Sequence, residues 1–225
     1  MNKSKIIPFY GSENRHLFEI ERRCMDKDGV VIDYLDKILP SGLAIDIGAG
    51  NGYTAASLTR NNRRVIPYEP SNNMIDRNQS LPWVRGIAQE LPFRSNSFEG
   101  AYATWAYFFP AIGYGKEGLE ELIRVIKPQG PICIVDNAGD DEFCGLFERD
   151  ISSDSSWWHK RGFESHILET NFKFDSIEEA QELLSFYWTL NGRKPGSEVD
   201  IEIEYKVVVF IGRKKTNDPT SSKGF

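Results

Sequence analysis

Apolar positions change their spacing repeatedly along the chain. Short β-like runs at 43–47, 65–68, 83–85, 100–104 and 132–135 alternate with helix-like stretches near 53–60, 72–78 and 117–126. This alternation predicts a mostly parallel sheet with helices on both faces, each helix short enough for a crossover between parallel strands. Upstream, Val30, Val31, Tyr34, Leu35, Ile38 and Leu39 form pairs four residues apart, and Pro40 with Gly42 ends that first helix. Beyond Asp136 the rhythm alters. A polar stretch at 140–161 carries Trp157 and Trp158, a strand is expected over 166–174, and a helix starts at Ser176, whose spacing to Glu179 is that of a capping box. A long alternating run at 199–211 follows the helix and fits an antiparallel hairpin at the sheet edge. The expected organisation is one domain over 1–213, with an N-terminal helical cap at 1–40 and a lid-like insertion at 137–163. Residues 214–225, rich in Lys, Ser, Thr, Asp and Gly, read as a frayed tail.

Composition narrows the partners. The 225 residues are 40% hydrophobic and 12% aromatic, enough for a packed core and incompatible with global disorder. Asp and Glu number 33 against 27 Lys and Arg, a net charge of −6 that disfavours nucleic acid and other polyanions. No apolar run approaches the roughly 20 residues that span a bilayer. The first eight residues stop too soon for a signal peptide, so a cytoplasmic protein with no membrane partner is expected. Cys24, Cys133 and Cys144 fit neither a disulfide framework nor a CxxC site, and His159 and His166 have no ligand set around them, so no metal is assigned. Arg60, Arg63 and Arg64 read as a solvated helix end.

The sharpest signal is Ala44-Ile45-Asp46-Ile47-Gly48-Ala49-Gly50-Asn51-Gly52, an apolar strand running into three alternate glycines and then a helix. Glycines accept positive φ and let backbone approach a ligand closely, and the turn falls at the C-terminal edge of the sheet, where open α/β sheets bind ligands. The spacing is GxGxG, not the GxGxxG that seats a pyrophosphate on a helix N-terminus. Asp46 would repel phosphates and attract an ammonium group. Seventeen residues past Gly52 the second strand ends in Glu69, read as an exposed strand end whose carboxylate can accept hydrogen bonds from both hydroxyls of a ribose. The ligand implied is a nucleoside carrying positive charge.

With those residues in place, the sequence resembles class I S-adenosylmethionine-dependent methyltransferases of the small-molecule type. Asp46–Gly52 resembles the first family motif, Tyr68-Glu69-Pro70-Ser71 the second, and the segment from Gly86 to Phe93 the third. Ser97-Phe98-Glu99 opens the fourth strand, and the segment from Glu121 to Gly130 resembles the approach to the fifth. Five motifs in order cover residues 43–136. The resemblance implies a Rossmann-like, doubly wound α/β fold with a seven-stranded sheet, mostly parallel with an antiparallel edge strand. It also implies S-adenosyl-L-methionine as cofactor and a small molecule as methyl acceptor. By the same resemblance Asp46, Gly48 and Gly50 surround the methionine moiety, Glu69 the ribose, Met74 covers the adenine face, and Ala88 and Gln89 stand at its edge, with Ala49, Gly52 and Pro70 also among the cofactor-binding residues. One departure is Ile87, where the family often has an acidic residue facing the adenine amino group; the side-chain carbonyl of Gln89 can substitute. Gln129-Gly130-Pro131, where two glycines are usual, affects a turn only.

In this fold the loop after the fourth strand borders the reacting methyl, which puts Trp105, Tyr107 and Phe109 in a substrate wall with almost no basic donors. Tyr10 and His16 belong to a segment that often folds over the pocket, and neutral His16 would suit a general base. Trp157 and Trp158 are expected to pack the lid, with one of them a candidate to face substrate. Because in-line methyl transfer depends mainly on alignment, worth on the order of 7–11 kcal/mol, the sequence names no catalytic residue. Two other classes compete: a nonenzymatic S-adenosylmethionine-binding module acting through a protein partner, and a dinucleotide-dependent oxidoreductase, which the glycine spacing disfavours. Nucleic-acid methylation is weaker still, since neither Asn/Asp-Pro-Pro-Tyr nor Pro-Cys occurs.

Overall fold

The computed structural model describes residues 13–106 and 115–215. Seven strands form one sheet: β1 Gly42–Ile47, β2 Arg63–Glu69, β3 Val84–Arg85, β4 Gly100–Thr104, β5 Pro131–Asn137, β6 Glu164–Lys173 and β7 Glu202–Arg213. Their order is β3-β2-β1-β4-β5-β7-β6. The first five run parallel, and β7 lies antiparallel between β5 and β6 at one edge. The helices are α1 Arg15–Cys24, α2 Val30–Ile38, α3 Tyr53–Leu58, α4 Gly115–Val125, α5 Glu142–Gly145, α6 Ser155–His159 and α7 Ile177–Asn191. Among the described residues no helix is long and apolar enough to cross a membrane.

Strand alternation builds two separate cores, because successive side chains leave opposite faces of the sheet. Ala44, Tyr102, Cys133, Val135, Val207 and Val209 pack on one face with α1, α2, α3 and α7. Ile45, Ile47, Ala101, Ala103, Ile132, Ile134, Val208 and Phe210 pack on the other with α4 and Trp158 of α6. The central strands are buried on both faces, which is why they read as continuous apolar runs. β7 is polar at its start for a register reason: β5 reaches only to Val207, so residues 202–206 pair with the exposed edge strand β6 alone.

The insertion between β5 and β6 touches both cores. Phe143 of α5 stacks on Phe172 at 4.3 Å on the first face. Trp158 of α6 is fully buried and stacks on Phe210 at 5.4 Å on the second. Between these two anchors the chain crosses the C-terminal ends of the parallel strands.

Three expectations change. Residues 72–78 form turns, not a helix, because Asx side chains there bond local backbone instead: Asn78 N donates to Asp76 Oδ1 at 3.0 Å. Arg63 is no solvated helix end; it is 5% exposed, donates to the carbonyls of Leu58 (2.9 Å) and Leu39 (2.7 Å), and pairs with Asp36. Finally, α1 falls within the stretch expected as a helical cap but was not expected as a separate helix; its apolar residues Leu17, Phe18, Ile20 and Cys24 are interrupted by charges. The Ser176 cap is present, with its hydroxyl accepting from Glu179 N at 3.2 Å, while the Glu179 carboxylate accepts from Asp175 N.

Candidate functional site

The loop after β1 is shaped by its glycines. Gly48, Gly50 and Gly52 have φ of 72°, 56° and 83°, the left-handed region where a Cβ is strained. Space forbids a side chain as well: a Cβ on Gly48 would lie 2.5 Å from that of Ala106, and one on Gly52 2.7 Å from the Trp83 ring. Tyr68 O accepts from Gly48 N (2.8 Å) and Ala49 N (3.2 Å), locking the loop to the end of β2.

Glu69 is not the exposed strand end that the sequence suggested. It is 6% exposed, its Oε2 accepting from Gly50 N at 2.9 Å and its Oε1 from Ser71 N at 2.8 Å. Burial raises its pKa, and these two backbone donors oppose the rise. A carboxylate has about four acceptor positions, so two remain for hydroxyl groups.

Over these strand ends opens a cavity of about 1240 Å³. Its wall brings together Gly48, Ala49, Gly50, Glu69, Pro70, Ala88, Gln89 and Trp105, all expected at the site. Gln89 is buried, and neither its Oε1 nor its Nε2 has a hydrogen-bond partner. Asp46, Gly52 and Met74, also expected at the site, are not among the lining residues. Met74 is buried beside Gly50, and Asp46 is completely buried, with the Tyr102 hydroxyl as its neighbouring donor. Burial, with a smaller push from the Glu69 charge, raises the Asp46 pKa to about 8. His16 does not join the site: its imidazole is exposed and pairs with Glu182 of α7 at 3.2 Å. Tyr10, Tyr107 and Phe109 lie outside the described residues.

Trp105 has φ 49°, a strained conformation for a bulky residue that recurs at functional sites. Its Nε1 donates to Tyr205 Oη at 2.6 Å, Tyr205 Oη donates to Asn137 Oδ1 at 2.5 Å, and Asn137 Nδ2 donates to Ile151 O at 2.9 Å. The relay ties the wall to the insertion. Trp157 and Trp158 are not in that wall: Trp158 fills the second core, and Trp157 lies under the Arg161 guanidinium.

The sequence reading missed several residues of the wall, among them Asp136 and Arg22. Asp136 is next to last in β5, and burial raises its pKa to about 6. An acidic residue closing an apolar strand at the C-terminal sheet edge was the available signal. Arg22 of α1 reaches in over the Tyr53 and Trp105 rings, at 5.0 and 5.4 Å from their centroids. Arg85 and Arg149 also line the cavity, so the wall has the basic groups that the sequence reading denied it. Carboxylates still exceed them, with Glu13, Glu21, Glu69, Asp136, Asp150 and Asp154 in the lining.

Residues 45–134 match the family model described as a methyltransferase domain. The chain is 30% identical over 109 residues to a biotin biosynthesis bifunctional protein of Cellvibrio japonicus, covering 44% of this chain and 20% of that one. It is 31% identical over 97 residues to the demethylmenaquinone methyltransferase of Corynebacterium kroppenstedtii, covering 42% of each. The chain thus matches less than half the length of either relative. Among solved structures, an S-adenosylmethionine-dependent methyltransferase from Thermotoga maritima superposes with a TM-score of 0.59 at 21% identity, over 92% of this chain and 96% of the other.

Proposed function

We propose, for a chain that carries a methyltransferase domain on the class I Rossmann-like fold, that it methylates a small-molecule acceptor using S-adenosyl-L-methionine. The observation that carries this reading is the unpartnered Gln89 amide, in one wall with the glycine loop and a Glu69 that retains acceptor capacity. A purine base needs both a donor and an acceptor, and a buried amide left with neither satisfied supplies both. The residues present therefore fit the cofactor: Gln89 and Ala88 for the base, Glu69 for the ribose, and the Gly48–Gly50 backbone for the amino-acid arm, whose ammonium would favour the ionised form of the Asp46 carboxyl at the end of β1. When bound, S-adenosylmethionine supplies a methyl group on a positively charged sulfur. The protein's task is to hold the acceptor in line and keep water out.

The acceptor reading is a neutral or cationic small molecule. Ring faces such as Trp105 and an excess of carboxylates favour those groups over anions. Kinship over the matched region with a protein named for demethylmenaquinone is in keeping with a small-molecule acceptor. The insertion at 137–163 contributes residues 149–154 to the wall, which supports a covering role. Titration calorimetry tests the cofactor. S-adenosylmethionine and S-adenosylhomocysteine should bind and NAD should not; tight NAD binding with no response to S-adenosylhomocysteine would overturn the assignment.

A further inference from the structure

Asp136 lines the cavity yet is only 8% exposed. Its Oδ1 accepts from Asn137 N at 2.8 Å, and the Ser153 hydroxyl is its neighbouring side-chain donor. No cation among the described residues balances its charge: burial raises its pKa to about 6, and only those two donors oppose the rise. The carboxyl is therefore mostly ionised near neutral pH, with about two acceptor positions left for the cavity. A buried charge without a counter-ion is costly, so the site points to a ligand that brings one. The sheet order sets this carboxylate apart from the base and the ribose. β5 lies two strands beyond β1, on the side opposite β2 and β3, about 10 Å from the glycine loop at the usual strand spacing. Thr104 and Trp105 stand between them at the end of β4. The lining on the Asp136 side includes Phe143 and Ile151 of the insertion, and Phe143 packs edge-on to Tyr205, whose phenol feels the Asp136 charge.

We propose that Asp136 binds the nitrogen of the methyl acceptor, and that this acceptor is a primary or secondary amine held as its ammonium. This narrows the function proposed above and rests on it. An alcohol would leave the carboxylate without a counter-charge, and an anionic acceptor would be repelled. An ammonium supplies charge and donors together. The same carboxylate opens the way to the reactive form, because an ammonium has no lone pair with which to attack. The ammonium gives one proton to Asp136, the lone pair so freed forms the bond to the methyl carbon, the electron pair of the methyl–sulfur bond stays on sulfur, and the proton passes from Asp136 to water. Burial narrows the gap between this carboxyl and an ammonium that titrates near about 10, which favours the transfer.

The probes are phenethylamine and tryptamine, each compared with the alcohol of the same skeleton, 2-phenylethanol or tryptophol, on protein saturated with S-adenosylhomocysteine. In calorimetry each amine should bind about tenfold or more tightly than its alcohol. Asp136→Asn should abolish that preference while leaving S-adenosylhomocysteine affinity unchanged within about twofold. Asp136→Glu keeps the charge and should keep the preference, which separates a missing charge from a disturbed fold. Alcohols that bind as well as amines, no binding of either amine, or a preference that survives in Asp136→Asn or vanishes in Asp136→Glu overturns the assignment. A loss of S-adenosylhomocysteine affinity of about tenfold in folded Asp136→Asn overturns it as well, because the carboxylate would then serve the cofactor. If the unmodified protein does not bind S-adenosylhomocysteine, the cofactor reading itself fails, and this inference with it.

Discussion

Asp46 and Asp136 are held neutral by burial to about 8 and about 6, whereas aspartate in an unfolded chain ionises near about 3.9. Folding therefore takes up protons between those values. The stability each carboxyl contributes is fully present below the unfolded value and is lost as pH rises, through about 6 for Asp136 and about 8 for Asp46. The groups beside Asp46 are Tyr102, Glu69 and Arg22, and those beside Asp136 are Asn137 and Ser153. Denaturant titrations across that window should show the ligand-free protein losing stability toward alkaline pH. A cofactor ammonium favours the ionised form of Asp46, so binding near neutral pH should release a proton and tighten as pH rises. Calorimetry in two buffers of different ionisation heat reads the release directly. Heats independent of buffer would show that the cofactor's positive charge goes elsewhere. Glu69→Ala removes the proposed ribose acceptor together with the anchors of Gly50 N and Ser71 N. It should weaken S-adenosylhomocysteine about tenfold or more and cost ~1–3 kcal/mol of stability, measured by calorimetry and urea unfolding. The sequence singled out Glu69 by type and position. Its task of holding the loop amides was not legible, because an acceptor for loop amides is defined only once the loop has folded back on β2.

The strands β1, β2, β4 and β5 were legible because burial on both faces leaves an unbroken apolar run ending in turn residues. The glycine loop was legible because alternate glycines have few other uses. Helix α1 was not: charges interrupt its apolar residues, and its reach into the cavity depends on where the sheet puts Trp105 and Tyr53. The hydrogen-bond relay of Trp105, Tyr205 and Asn137 joins β4, β7 and β5, three elements that only the sheet order brings side by side. Tyr205→Phe leaves the Trp105 indole N–H without its acceptor, a loss of about 1–3 kcal/mol, while Phe keeps the ring contacts with Phe143 and Phe172. Thermal unfolding should shift down and tryptophan emission should change, with S-adenosylhomocysteine affinity unchanged within about twofold. A collapse of cofactor affinity in that variant would place Trp105 beside the cofactor's ribose or adenine instead of on the acceptor side.

At the scale of the molecule, the two cores share the sheet but are covered by different helices. The insertion after β5 is fastened to one core by Phe143 and Phe147 and to the other by Trp158 and Phe163. Hydrogen exchange should register this as slow amides in β5 and β6 flanking faster ones at 149–154. Uniform protection across the insertion would contradict it. A belt buckled into two cores can be re-cut in the middle without loosening either buckle. Residues 149–153 line the cavity while the packing that fastens the insertion resides at its ends, so surface exchanges there, short of the Asp154 cap of α6, should stay within about 0.5 kcal/mol. Under the proposed function, acceptor preference can then drift from one descendant of this sequence to another while the fold and the proposed cofactor seat are inherited unchanged.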